Sequence, residues 1–406
     1  NAWRERYAGN NGIMPDNAGP DGKVGETLGG RWYGSHYGWV HPHGFRFIGD
    51  AMIIGGENER MLTGQADALN WVREQLDYLS RYAITRDDGT VLLPQKHTDE
   101  DAVIEYLGND KTPMTRPDRV TDHPGLVRYR QVDGWYEFSP TSAAQLAHLY
   151  TDRFEADDLQ KAKELSRPEA WNQVTMTAVS AKYKGGQDSA YLNYLSGTYA
   201  DYPEDVLEHS IALIYMQHKI LHGELHGSVA KFGYAPDGAQ EEEDLRRITQ
   251  ELNERYNLNF SETTVHSYYQ TFLLYRNPLS MEALVHLTMG GVMPIYNGGQ
   301  LNVSLRYFDD EGRRPGLPAD VAALVSSVDK DGLTLTLCNL HVHKMRSIIL
   351  QGGAFGEHKL VAIEKDQERT AIDNKWLRIE LAPASQVTCR VQLERYAYPP
   401  SYIEPF

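Results

Sequence analysis

The hydrophobic period of this 406-residue chain changes near residue 295, and that change constrains its fold more than any other feature. Before it, apolar residues recur at three- and four-residue spacing, which marks amphipathic helices; after it they alternate, which marks half-buried strands. Residues 59–83 set Leu62, Leu69, Val72, Leu76 and Leu79 on one stripe with charged residues opposite. Asp87-Asp88-Gly89-Thr90 then reads as a turn. Ser139-Pro140, an N-cap followed by proline, predicts a second helix running to about residue 165. A third is expected over 168–182 and a fourth after Asp201-Tyr202-Pro203, with Leu207, Ile211, Ile214 and Leu221 facing inward. A fifth over 240–256 opens on acidic residues suited to a helix N-terminus, and a short one covers 280–287. Beyond 295, seven short alternating runs are separated by turn signals such as Asp331-Gly332 and Gly352-Gly353. The expected architecture is a helical domain over 1–295 followed by an antiparallel β-sandwich domain over 296–406. Cys338 and Cys389 lie in two of the strand runs, which leaves a bridged pair and two small buried hydrophobes both open.

A net charge of -16 argues against nucleic acid or an anionic membrane as partner. No run approaches the roughly 20 apolar residues of a membrane-spanning helix. A small acidic sugar stays admissible, because it responds to the local potential of its pocket. The chain has 25 Tyr and 7 Trp against 10 Phe, an excess of polar-edged rings that suits a hydrogen-bonding cleft better than a dry core. It begins Asn-Ala-Trp with no signal-peptide pattern, so processing or a start inside a longer protein is expected.

Residues 29–45, GGRWYGSHYGWVHPHGF, concentrate the chemistry: two Trp, two Tyr, three His, one Arg and five Gly, with no carboxylate. Aromatic platforms stack on sugar rings, while imidazoles and phenols move protons near neutral pH. The alternative is a glycine-rich loop whose rings pack on the core. His41 and His43 project the same way in extended chain, and a helical turn at 35–39 would bring Tyr33, His36 and Tyr37 onto one face. Two histidines without a third ligand are weak support for a metal. His218, His222 and His226 follow a helical stripe, but Gly223 and Gly227 favour a helix end over a metal site. Arg128 precedes the aromatic run Trp135-Tyr136-Glu137-Phe138 and could grip a sugar carboxylate or pair with Asp122 or Asp133. Further aromatic clusters surround His266 and span Tyr191, Tyr194, Tyr199 and Tyr202, the latter expected in a loop.

These features fit a helical toroid whose loops line a cleft, with an antiparallel β domain behind. The 29–45 stretch, RNPLSMEALVHLTMGGVMPIYNGGQL and RRPGLPADVAALV resemble polysaccharide lyase family 27, the L-rhamnose-α-1,4-D-glucuronate lyases. The resemblance covers most of the chain and implies an (α/α)-toroid, a β-sheet domain, a uronate-containing glycan as substrate and export to the periplasm or beyond. One departure stands out: a six-hairpin toroid needs about twelve helices, and only five or six are predicted before residue 295. A missing N-terminal segment, a partner chain or an incomplete toroid would account for it.

β-Elimination at a uronate requires neutralising its carboxylate, removing the C5 proton and protonating the C4 oxygen. From chemistry and position, His36 or His43 is the expected base and Tyr33 or Tyr37 the acid. Arg31 or Arg128 would clamp the carboxylate, and Trp32, Trp39 and Trp135 would stack sugars, with His41, Tyr136 and His266 also lining the site. No cofactor is required, although calcium could share the neutralising role. Two rival readings remain. A glycoside hydrolase would draw a carboxyl pair from Asp50, Glu57, Asp133 and Glu137, and a non-catalytic glycan-binding protein would need neither.

Overall fold

The computed structural model describes residues 2–40, 43–99, 127–167, 171–174, 188–221, 281–295 and 298–406, with a few isolated helical positions between 243 and 254. The expected helices over 168–182 and 240–256 lie largely outside these residues, and His41, His222, His226 and His266 lie wholly outside them. Among the described residues the chain is a mixed α and β protein, with its eight helices concentrated in the N-terminal half and its sheets antiparallel.

After α1 (Ala2–Gly9), the long helix α2 (Phe45–Thr63) buries Phe45, Ile48, Met52, Ile53 and Met61 on one side. It stops at Gly64, whose left-handed φ of 70° turns the chain and returns its N–H to the Arg60 carbonyl. The next helix, α3 (Asn70–Ser80), buries Val72, Leu76 and Leu79. The continuous stripe expected over 59–83 is therefore two helices, and Leu62 faces solvent because it ends the first one.

Strands β1 (Ile84–Thr85), β2 (Val91–His97), β3 (Val127–Val132) and β4 (Trp135–Ser139) form one antiparallel sheet in the order β1-β2-β4-β3. Ser139 pairs with Leu93 in this sheet, so it ends a strand instead of capping a helix. The helical run then starts later and divides into α4 (Ala143–Arg153) and α5 (Ala156–Leu165), separated at Phe154, which adopts the left-handed conformation.

Side-chain pairs give the direction of these helices. Asp50, Glu57 and Arg60 on α2 meet Gln145, His148 and Asp152 on α4 in the same order. Arg73 and Asp77 on α3 meet Asp158 and Lys161 on α5 likewise. Two helical hairpins thus stack side by side with corresponding helices parallel. Helices α6 (Asp188–Leu195) and α7 (Tyr202–Leu221) follow, then a short α8 (Glu282–Leu284) that widens into a π-helical turn over Val285–Met289. Tyr191 and Tyr194 lie on α6 and Tyr202 begins α7, so these tyrosines belong to helices and not to a loop. Leu207, Ile211 and Ile214, expected to face inward, are exposed.

Seven C-terminal runs become β5 (Leu305–Asp309), β7 (Val321–Asp329), β8 (Gly332–Asn339), β9 (Arg346–Gly352), β10 (Lys359–Lys365), β12 (Trp376–Leu381) and β13 (Ser385–Glu394). Two strands had no apolar alternation to announce them: β6 (Arg314–Pro315) and β11 (Glu368–Asn374), both largely exposed. The strands make a five-stranded sheet, β11-β10-β13-β8-β7, and a four-stranded sheet, β12-β9-β5-β6. Leu305, Ile348, Leu350 and Leu381 from the second share one core with Leu333, Leu335, Leu360 and Val391 from the first. Cys338 and Cys389 are free thiols on neighbouring strands, since the register sets Cys338 opposite Gln386 and Cys389 opposite Leu335.

Candidate functional site

The 29–45 stretch divides into a buried half and an exposed half, and Asp16 organises the division. Its carboxylate accepts the backbone N–H groups of Gly34, Ser35 and Trp39. Gly38 must be glycine, because a Cβ there would lie 2.0 Å from the same carboxylate. This clamp sends Trp39 into the core, where its indole N–H donates to the Met14 carbonyl (2.6 Å) and its ring meets Trp135 edge-on at 5.0 Å.

Trp39 and Trp135 are fully buried and Tyr136 is nearly so. The expectation that these rings line a ligand site is corrected on that ground: neither tryptophan has a face free for a sugar. Trp32, half-buried, packs on His97, Tyr33 and Trp135. Tyr33 is buried and its hydroxyl donates to Asp99; burial and that bond push it up to about 12, a poor acid at neutral pH. Arg31 is exposed and already lies 3.5 Å from Asp99. Burial pulls His97 down to about 4, so its ring is neutral. Arg128 lies on β3, of which only the backbone is described at that position.

The other half stays at the surface. His36, Tyr37 and His43 converge with Phe47 of α2: Tyr37 stacks on His43 at 4.5 Å, His36 lies 5.0 Å from His43, and Phe47 backs His43 at 4.3 Å. Tyr37 is 63% exposed. His43 Nδ1 lies 2.6 Å from the carbonyl oxygen of His36, which can only accept, so Nδ1 carries the hydrogen. In the neutral ring the basic lone pair is then on Nε2. The turn at Ser35–Gly38, closed by a 2.9 Å bond from the Gly38 N–H, brings Tyr37 back over His43 and separates both from Tyr33.

This cluster sits where α2 begins. The preceding residue, Gly44, has a φ of 91°, and no side chain caps the helix. A Cβ on Gly44 would lie 2.2 Å from the Gln95 carbonyl, so glycine is required for α2 to start against β2. First-turn amides and the positive end of a 19-residue helix therefore lie beside the imidazoles. Arg46 is in that turn. Burial pushes Asp50, one turn further, up to about 6 despite the Gln145 amide and the nearby Arg46 charge.

A second histidine group, deep among the helices, was not predicted. His148 donates from Nδ1 to Glu57 (2.5 Å) and from Nε2 to the Met293 carbonyl (2.9 Å). Burial would pull this ring down, but the Glu57 carboxylate more than offsets it, and His148 is pushed up to about 9. The Met293 N–H donates to Asp188, which also accepts from His286 Nε2 (3.0 Å). His286 Nδ1 accepts from the Tyr202 hydroxyl (2.6 Å), and Tyr191 stacks flat on the ring at 4.3 Å. The signal was present in Leu146-Ala147-His148-Leu149 and Val285-His286-Leu287, because an imidazole inside an apolar helical run must find buried partners. Near the exposed cluster, Lys96 donates to Glu137 (2.6 Å), whose φ is 57°.

Among the described residues no group of three His, Cys, Asp or Glu is placed to hold a metal, and no helix is long and apolar enough to cross a membrane. No curated protein and no solved structure matches the chain. The sequence profile of a domain of unknown function (DUF8034) matches residues 1–231, a span that includes the exposed cluster, α2 to α5 and the aromatic core, and the chain belongs to that family.

Proposed function

We propose that this chain is a polysaccharide lyase that cleaves a glycosidic bond to a uronic acid by β-elimination, with L-rhamnose-α-1,4-D-glucuronate as the first candidate linkage. One observation carries the reading: an exposed phenol stacked on an imidazole of fixed tautomer, beside the uncapped start of a long helix. The three requirements of the reaction then have local candidates. The Phe45 and Arg46 amides at the start of α2, with the Arg46 side chain, would neutralise the uronate carboxylate; the Phe47 and Ile48 amides already donate to the Gly44 carbonyl. His43 Nε2 would take the C5 proton, and the Tyr37 hydroxyl would protonate the departing C4 oxygen.

Stereochemistry favours this pairing. In an all-equatorial glucuronate the C5 hydrogen and C4 oxygen lie on the same ring face, so base and acid must approach from one side. Two groups stacked at 4.5 Å suit that demand. The hydrolase reading needs two carboxyl groups, and with Glu57 held by His148 and Glu137 by Lys96 it would rest on Asp50 and Asp133.

The fold supports the same class. Helical hairpins stacked with corresponding helices parallel are the repeating unit of an (α/α)-toroid, and two sheets sharing one core suit a β-sandwich domain after residue 295. A glycan-degrading role would place the protein in the periplasm or outside the cell.

Ultraviolet absorbance during incubation with gum arabic and other uronate-containing polysaccharides tests the reading. The expected result is a rising signal from a 4,5-unsaturated uronate, with rhamnose released. New reducing ends without that chromophore would replace elimination by hydrolysis, and silence in both assays would leave a binding protein.

A further inference from the structure

We propose that a second cleft, at the opposite end of α2, binds a uronate residue of the polysaccharide away from the reacting bond; this rests on the glycan reading above. The cleft, about 480 Å³, lies among the end of α2, the connections α2–α3 and α4–α5, the β7–β8 turn and the residues after β13. Its volume falls within the roughly 300–1,000 Å³ of small-molecule sites. Arg60 is 17 residues beyond His43, about 25 Å along the helix at 1.5 Å per residue, so one sugar cannot touch both sites.

Four cations converge here in a chain of net charge -16: Arg60, Arg153, Lys330 and Arg395. Their compensation is thin. The buried Asp152 carboxylate is shared among Arg73 at 3.1 Å, Arg60 at 3.6 Å and Arg153 at 3.7 Å. Arg395 donates to the carbonyl oxygens of Thr151 (2.9 Å) and Asp152 (2.8 Å) and meets no carboxylate among the described residues. Lys330 is exposed at the tip of a turn and has no ion pair among those residues. Arg60 also donates to the Gly64 carbonyl (2.8 Å) and Arg153 to the Asn70 side-chain oxygen, so Lys330 has donors to spare beside partly committed guanidinium forks, a set that suits a planar carboxylate.

The rest of the lining narrows the ligand. Asp67, Asn70 and Glu155 also face the cleft. Asp67 and Glu155 would repel a bare sulfate or phosphate, whereas sugar hydroxyls donate to them; the Asn70 oxygen already accepts from Arg153. A polyhydroxylated carboxylate uses both halves of the lining, which is the chemistry of a uronate.

Calorimetric titration of the full chain with methyl glucuronoside, methyl glucoside and inorganic sulfate tests the proposal. Glucuronoside is expected to bind the His43→Ala variant still, and to bind Lys330→Gln and Arg153→Gln at least fivefold more weakly than wild type. Lys330 projects from an exposed turn, so its variant reads the site without endangering the fold. Wild-type binding by both cation variants would overturn the proposal. So would loss of all binding in His43→Ala alone, or sulfate or glucoside binding as tightly as glucuronoside. Binding that depends on Lys330 without any unsaturated product would retain the cleft and remove the elimination reading.

Discussion

Two groups of histidines and tyrosines, built from the same residue types, occupy opposite environments at two positions along α2, beside Phe47 and beside Glu57. In the buried group both nitrogens of His148 and both of His286 are committed to protein partners, and neither ring is reachable from solvent. At the surface, His43 is held through one nitrogen only among the described residues, and Tyr37 stands over it largely exposed. The difference lies in what each ring has left to offer. A ring with two fixed partners ties helices together, whereas a ring with one fixed partner is oriented and keeps a lone pair for chemistry. The buried group is thus a structural tie among α2, α4, α6 and the π-helical turn, and the exposed group is the one left with a lone pair for the proposed chemistry.

The largest expected effect breaks the buried side. Glu57→Ala removes the carboxylate that keeps the fully buried His148 charged and leaves its Nδ1 without that partner, and losing one partner of a buried pair costs about 3–5 kcal/mol. Chemical denaturation should show that loss. A variant as stable as wild type would mean that the pair is dispensable. His43→Ala should do the reverse, lowering turnover by about 10²–10⁴-fold, the usual range for a general base, with little change in melting temperature. A large melting shift with activity intact would exchange the roles of the two groups.

Acidity separates them next. His148 is raised from 6.5 to about 9 in the folded protein. Its contribution is therefore complete below the unfolded value near 6.5 and is lost as pH rises through 9, at up to about 1.4 kcal/mol per pH unit. Melting temperature should fall across that alkaline window in wild type. Glu57→Ala should flatten this dependence, whereas His43→Ala should preserve it.

How much of this was legible in sequence depended on whether a signal was local. The change of period near residue 295 is local, and seven strands followed from it. Strand β11 did not, because Glu368–Asn374 is exposed on nearly every residue and so carries no alternation. Helix ends were misplaced where the break lay in backbone conformation, as at Phe154, a non-glycine residue in the left-handed region. The 29–45 stretch stood out by its rings and imidazoles, but its division was not legible: Trp39 turns inward because Asp16, 23 residues earlier, clamps its N–H. Composition shows which rings are present, and only tertiary contacts decide which of them face solvent. The buried histidines were missed for the same reason, since their partners Glu57 and Asp188 are 91 and 98 residues away.

The smallest change sharpens the comparison most. Tyr37→Phe keeps the ring that stacks on His43 and removes only the hydroxyl. Because Tyr37 is 63% exposed, stability should stay within about 0.5 kcal/mol of wild type. Turnover should fall by only about tenfold, below the usual range for acid catalysis, because water in an open site can also protonate the leaving oxygen. The leaving group supplies the control. With an aryl group at C4, whose oxygen departs without a proton, the Tyr37→Phe defect should vanish while the His43→Ala defect persists, since C5 must still lose its proton. A Tyr37→Phe defect that survives the better leaving group would move the phenol from leaving-group acid to substrate platform or base, and the division of labour within the exposed cluster would have to be redrawn.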